Sequence, residues 1–271
     1  MGACVRFSPI SVTPRFSPIS GQPEIGGRRT WPCGHEYTRD QAIAQSWIPN
    51  YRDEMSKKRV AVLVSGRGSN MVALVEAAKD RSYPAEIALV VSNRPDAAGL
   101  ARAGAEGIAT AVVDHAAHGK DREAFERAMQ KVLDGHRIDL VCLAGFMRLL
   151  TPWFVRRWEG RLINIHPALL PAFKGLDTHE RALAAGATFH GATVHFVVPD
   201  MDSGPMIVQE RLRVHDTDNA DTLAARVLEL EHRIYPLALK LVAWGYVKMI
   251  DGECRIDIKR DANGELIAPE S

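Results

Sequence analysis

The chain has 271 residues, 46% of them apolar and 25% charged, which predicts one or two globular domains whose core needs neither disulfides nor metals. A net charge of +1 excludes a broad electrostatic footprint for nucleic acid or an anionic membrane, so any anionic substrate must be met by local groups. Apolar stretches reach only about nine residues against the ~20 of a membrane span, and no apolar signal core opens the chain. Cys4, Cys33, Cys142 and Cys254 form no CxxC pair, as expected of a protein of the reducing cytoplasm.

Residues 1–54 carry a short duplication, RFSPIS at Arg6–Ser11 and again at Arg15–Ser20, and are rich in Pro, Ser, Gly and Arg. Their lack of a sustained apolar period predicts a disordered N-terminal extension, or one upstream of a true start at Met55. Cys33 and His35 have no second pair at zinc-finger spacing, so no metal is expected there.

Residues 55–271 read as a single domain. Val60–Ser65 is a continuous apolar run, as in a strand buried on both faces. A Gly-rich turn leads to a helix over Asn70–Lys79, a strand over Glu86–Ser92 and a helix over Ala97–Glu106 that stops near Gly107. A short strand, Thr110–Val113, precedes an amphipathic helix over Arg122–Leu133 and a buried strand over Asp139–Ala144. Such alternation predicts an α/β fold with a mostly parallel central sheet flanked by helices. Beyond Arg161–Ile165, a short strand, HPALLPAFKG reads as an irregular loop. Thr193–Val198 and Met206–Val214 flank PDMDSG like a hairpin, which predicts an antiparallel C-terminal part. The helix Asn219–Tyr235 should kink or end at Pro236, and the last ~25 residues should be a loose polar end.

Four segments carry chemistry. SGRGSN, Ser65–Asn70, joins the first strand to its helix. Gly66 and Gly68 permit close backbone approach, and the amides beyond them suit a single phosphate. Met71 breaks G-x-G-x-x-G, and the Walker lysine is missing, which argues against NAD and ATP. INIHPALLP presents Asn164 and His166 on one side of a strand end, an amide donor beside an imidazole, as acyl transfer requires. In PDMDSGP, Asp202 is a carboxylate able to orient His166 and accept a proton. In LAGFMRLL, Phe146, Met147 and Arg148 read equally as the wall of a flat aromatic ligand or as core with one solvated arginine. His179, His190 and His195 read as structural, with His195 sharing a strand face with Thr193.

Taken in order, GRGSN, LAGFMRLL, NIHPALLP and HFVVPDMDSGP, followed by LEHRIYP, make Arg59–Val247 resemble the glycinamide ribonucleotide formyltransferases of the folate-dependent formyltransferase family. The resemblance implies a Rossmann-like formyltransferase fold and transfer of the formyl group of 10-formyltetrahydrofolate, as co-substrate, to glycinamide ribonucleotide. It implies Asn164, His166 and Asp202 as the catalytic trio. Gly68, Ser69 and Asn70 correspond to the phosphate loop. Leu228, Glu229, Leu230 and Glu231 correspond to a segment that also meets the ribonucleotide, with Glu231 the clearest equivalent. Leu228 and Leu230 are apolar where a relative could be polar, which leaves backbone contacts or Glu231. Arg122, Met147, Arg148, Leu149 and Leu150, with Asn164 and the loop Val198, Pro199, Asp200, Met201 and Asp202, correspond to positions that hold the folate. Asp177 takes no role.

The implied partners are small molecules only, without metal, nucleic acid or membrane, for a cytoplasmic monomer or weak homodimer. Rival readings are a formyltetrahydrofolate hydrolase, expected to carry a regulatory domain at its N-terminus, and a methionyl-tRNA formyltransferase, expected to carry a basic C-terminal domain. A non-catalytic sugar-phosphate-binding regulator on the same fold is the rival from outside enzymes.

Overall fold

The computed structural model describes Lys57–Ile256 and the backbone of Lys259–Arg260 and Leu266–Ile267, all within the unit Arg52–Ser271. The expectations for residues 1–54, including a start at Met55, lie outside the described residues.

Seven strands form one sheet in the order β3-β2-β1-β4-β5-β6-β7. They are β1 (Lys58–Val64), β2 (Ala85–Ser92), β3 (Ala109–Val112), β4 (Leu140–Leu143), β5 (Leu162–His166), β6 (Phe189–Phe196) and β7 (Met206–Arg213). The first five are parallel; β6 is antiparallel to β5, and β7 to β6. Among the described residues six α-helices accompany them, α1 (Ser69–Ala78), α2 (Ala98–Ala105), α3 (Arg122–Gly135), α4 (Pro152–Arg157), α5 (Thr178–Ala184) and α6 (Ala220–Ala243), with a 3-10 turn at His115–His118.

The unbroken apolar run of β1 follows from its place at the centre of the sheet. Val60, Val62 and Val64 face a core built with α1 and α6, while Ala61 and Leu63 face a second core built with α3 and α4. Alternation along one strand therefore feeds two cores. β1 is also where the chain changes direction across the sheet, with β2 on one side and β4 on the other. A crevice opens beyond the C-terminal ends of strands at such a switch point.

The structure corrects several expectations. α6 does not end at Pro236 but continues to Ala243. Ala238, Leu239 and Val242 extend its buried stripe, and that packing outweighs the ~3 kcal/mol cost of an interior proline. The chain after α6 is not a loose end throughout: Val247–Ile250 (β8) pairs antiparallel with Glu253–Ile256 (β9) around Asp251-Gly252, both at positive φ. β6 starts at Phe189 and ends at Phe196, so Val198 lies beyond it in the loop. The short helices α4 and α5 had no counterpart in the sequence pattern. Among the described residues no helix is long and apolar enough to cross a membrane.

Candidate active site

The Gly-rich turn after β1 reaches α1 through Gly68, which adopts φ +71. A Cβ there would lie 3.0 Å from the Cα of Gly99, so the position needs glycine for its dihedral and for the close approach of α2. No side chain caps the N-terminus of α1, and its first-turn amides are left to a ligand or to water. The turn lines a cavity of about 420 Å³ together with Asn93, Arg94, His115, Gly145, Met147 and Arg148. Of the lining guanidiniums, Arg94 is held by Asp96, at 2.6 and 3.0 Å.

Glu231 of α6 is buried, and its Oε2 accepts a hydrogen bond from Nδ2 of Asn70 at 2.5 Å. Burial pushes the Glu231 carboxyl up, and the Asn70 bond partly offsets this. Oδ1 of Asn70 is buried without a partner in the protein, an acceptor open to a ligand donor or to water. Leu228, Glu229 and Leu230 are not among the residues that line the cavity, and Glu229 is exposed. Only Glu231 of that segment reaches the cavity wall, through Asn70.

The second cluster lies on β5 and β6. Asn164 pairs with His195 and His166 with Thr193, so alternation places all four on one face, opposite the core-facing Ile163, Ile165 and Val194. The turn after β6 brings Asp202 over this face. Its Oδ2 is 3.5 Å from Nδ1 of His166, and its Oδ1 is 3.7 Å from Nε2 of His195. Gly175 N donates to Oδ2 of Asp202 at 2.8 Å. Asp202 and Phe173 both hold positive φ, 50 and 55, so two non-glycine residues in an uncommon backbone region flank the imidazole. Gly204 permits the turn, because a Cβ there would sit 1.8 Å from the Phe196 carbonyl oxygen.

Hydrogen-bond chemistry fixes the histidine tautomers. Nε2 of His166 is 3.0 Å from the carbonyl of Phe173, an acceptor, so Nε2 carries the proton and Nδ1 faces Asp202. Nδ1 of His195 is 2.8 Å from the carbonyl of Phe196, so it donates there. Burial pushes the His195 pKa down, and the imidazole is neutral, leaving Nε2 as an acceptor. That acceptor is 3.3 Å from Nδ2 of Asn164 and turns the amide donor end of Asn164 toward the site. Sequence reasoning missed this role of His195. Its signal was the strand alternation that places it with Thr193, but the register opposite Asn164 was needed to read it.

The HPALLP loop is held by Thr193, whose hydroxyl donates to Ala168 O at 2.6 Å and accepts from Gln209 Nε2 at 2.9 Å. The loop after β4 is held by Glu126, a buried carboxylate that accepts from Thr151 N at 2.6 Å and from its hydroxyl. Arg122 stands exposed one turn before Glu126. Met147 and Leu149 of that loop are 67% and 59% exposed, and Met201 of the Asp202 turn is 51% exposed. Val198 is half-buried, while Pro199 and Asp200 are exposed. Among the described residues, no three of His, Cys, Asp and Glu are grouped so as to hold a metal ion.

The formyl transferase family matches residues 58–239, and the chain belongs to it. Phosphoribosylglycinamide formyltransferase of Escherichia coli strain K12 is 43% identical over 201 residues, which cover 74% of this chain and 94% of that one. The human trifunctional purine biosynthetic protein adenosine-3 is 48% identical over 196 residues, 72% of this chain, and the chain spans only 19% of that protein's length. The structure of phosphoribosylglycinamide formyltransferase from Coxiella burnetii superposes with a TM-score of 0.71 at 43% identity, covering 79% of this chain and 97% of that one.

Proposed function

We infer that this chain transfers the formyl group of 10-formyltetrahydrofolate to the amine of glycinamide ribonucleotide, a step of purine biosynthesis. The observation that carries the reading is the single face of β5 and β6 on which Asn164, His166 and His195 meet Asp202. The uncapped start of α1 suits the ribonucleotide phosphate, with Arg67 and Arg148 adding positive charge to the same cavity. Exposed Met147, Leu149 and Met201 offer apolar surface to the flat ring of the folate.

As the amine adds to the formyl carbon, negative charge grows on the formyl oxygen. The Nδ2 of Asn164 has one hydrogen directed to His195 and a second free for that oxygen. Loss of one such donor costs ~10²–10³ in rate. With the proton on Nε2 committed to Phe173, Nδ1 is the His166 nitrogen that exchanges a proton. Asp202 receives the amine proton, directly or through His166, for return to the departing folate nitrogen. No Lewis acid is required, because the weakly basic leaving nitrogen already activates the formyl group.

The test is incubation with 10-formyltetrahydrofolate, with and without glycinamide ribonucleotide, following tetrahydrofolate and the formylated amide. Transfer should require the ribonucleotide. Equal loss of formyl to water in its absence would replace the reading with that of a hydrolase.

A further inference from the structure

We propose that Ser65 is a positioning residue that joins the two substrate walls, so that binding of the ribonucleotide tightens binding of the folate. The inference rests on the function proposed above and adds a coupling between its two ligands.

Ser65 ends the apolar run of β1 and begins the turn that forms the phosphate cradle. It is 7% exposed, and its amide and hydroxyl together make three hydrogen bonds to other elements. Its amide donates to Gly145 O at 3.2 Å. Its hydroxyl oxygen accepts from Met147 N at 2.8 Å and donates to Asn93 Oδ1 at 2.6 Å. Asn93 Nδ2 in turn lies 3.1 Å from Nδ1 of His115. One residue thus ties the cradle to the loop that carries Met147–Leu150 through a backbone bond and a side-chain bond, of which only the second depends on the hydroxyl. A third bond ties it to Asn93 at the end of β2.

The geometry is that of a shared ordering cost. Phe146 and Leu150 pack against the second core, but Met147 and Leu149 between them are exposed, and the loop is held at its start by Ser65 and beyond its end by Glu126. A phosphate on the cradle restrains Ser65–Asn70, and the Ser65 hydroxyl passes that restraint to the Met147 amide. The folate then meets a wall already ordered, and its affinity rises without any contact between the ligands being required.

Tetrahydrofolate, which has no formyl group to transfer, probes the coupling by titration calorimetry with and without glycinamide ribonucleotide. In the full chain the ribonucleotide should tighten tetrahydrofolate roughly 5-fold or more. Ser65→Ala should reduce this to less than twofold while each ligand alone still binds, and Ser65→Thr, which keeps the hydroxyl, should retain it. Should Ser65→Ala fail to fold, hydrogen exchange in the unaltered protein decides. Ribonucleotide alone should slow exchange of the Met147 amide, and an unchanged rate overturns the proposal. Equal coupling in Ser65→Ala, or independent binding of the two ligands in the full chain, also overturns it. Failure of the full chain to bind either ligand would count instead against the proposed function.

Discussion

Replacing Gly204 by alanine tests whether the turn that carries Asp202 must sit where it does. The added Cβ would lie 1.8 Å from the Phe196 carbonyl oxygen, and separations under 3.0 Å essentially never occur, so turn or strand end must move by at least about 1.2 Å. That carbonyl is also the acceptor that holds Nδ1 of His195 at 2.8 Å, and Phe196 N donates to Pro205 O at 3.0 Å. The displacement therefore reaches Asp202 from one side and the His195–Asn164 pair from the other. A misplacement of ~1 Å at a reacting centre costs about 10² in rate. Overpacking of this kind costs ~1–3 kcal/mol of stability, or ~2–4 °C in Tm per kcal/mol for a domain of this size. The expected variant is therefore folded, slightly less stable and at least about 100-fold slower at saturating concentrations of both substrates. Steady-state formyl transfer on a sample with a cooperative melt measures this. A folded Gly204→Ala protein with more than a third of the parent kcat would refute the dependence of catalysis on the placement of Asp202.

His166→Ala should lower turnover by ~10²–10⁴ with little change in folate affinity, and near-parental turnover would remove His166 from the mechanism. Gly66 has open space where a Cβ would go and no positive φ, so Gly66→Ala should keep its Tm. It should raise the KM for the ribonucleotide, because the methyl group occupies the approach to the cradle; an unchanged KM would move the phosphate elsewhere. His190 is fully buried, and burial first, then His179 and His166, push its pKa down to about 4. Below pH ~6.5 the unfolded chain binds a proton that the folded chain refuses. The contribution of His190 is therefore constant above that pH and falls as pH drops toward 4, by roughly 1–3 kcal/mol. Denaturant midpoints at pH 7 and 4.5 should show this loss, and His190→Asn should flatten it; an identical loss in the variant would exonerate His190.

The parallel half of the fold was legible because strands buried on both faces leave unbroken apolar runs, as in β1 and β4. Asn164, His166 and Asp202 were expected together from their motifs, and the structure places Asn164 and His166 on one face with Asp202 in the turn above it. The role of His195 was not, because alternation gives a face but not a partner, and the partner depends on the register of β6 on β5. α4 and α5, of six and seven residues, are too short for a helical period to emerge. Pro236 left an end of the helix open as one reading because local propensity was read without the buried residues that follow it. The Asp-Gly turn of the β8–β9 hairpin was a readable signal that the polar character of the segment concealed. Gly68 was read for ligand approach alone, whereas its backbone also serves the contact with Gly99.

The bond from Asn70 to Glu231 spans 161 positions of the chain. A chain growing from its N-terminus exposes the cradle early but cannot close this contact until α6 has been made. During synthesis, therefore, the Asn70–Glu231 contact is the last part of the site to be finished, after β1, β2 and β4 have been made. A substrate that binds only the closed wall stabilises only finished chains, by an amount set by its concentration relative to Kd. Cleavage anywhere between β7 and α6 that released the helix would take Glu231 from Asn70 and uncover the core face of the sheet on which α6 packs. A ribonucleotide bound as proposed above would therefore shield chains that have closed this contact from proteolysis and leave truncated ones exposed to it.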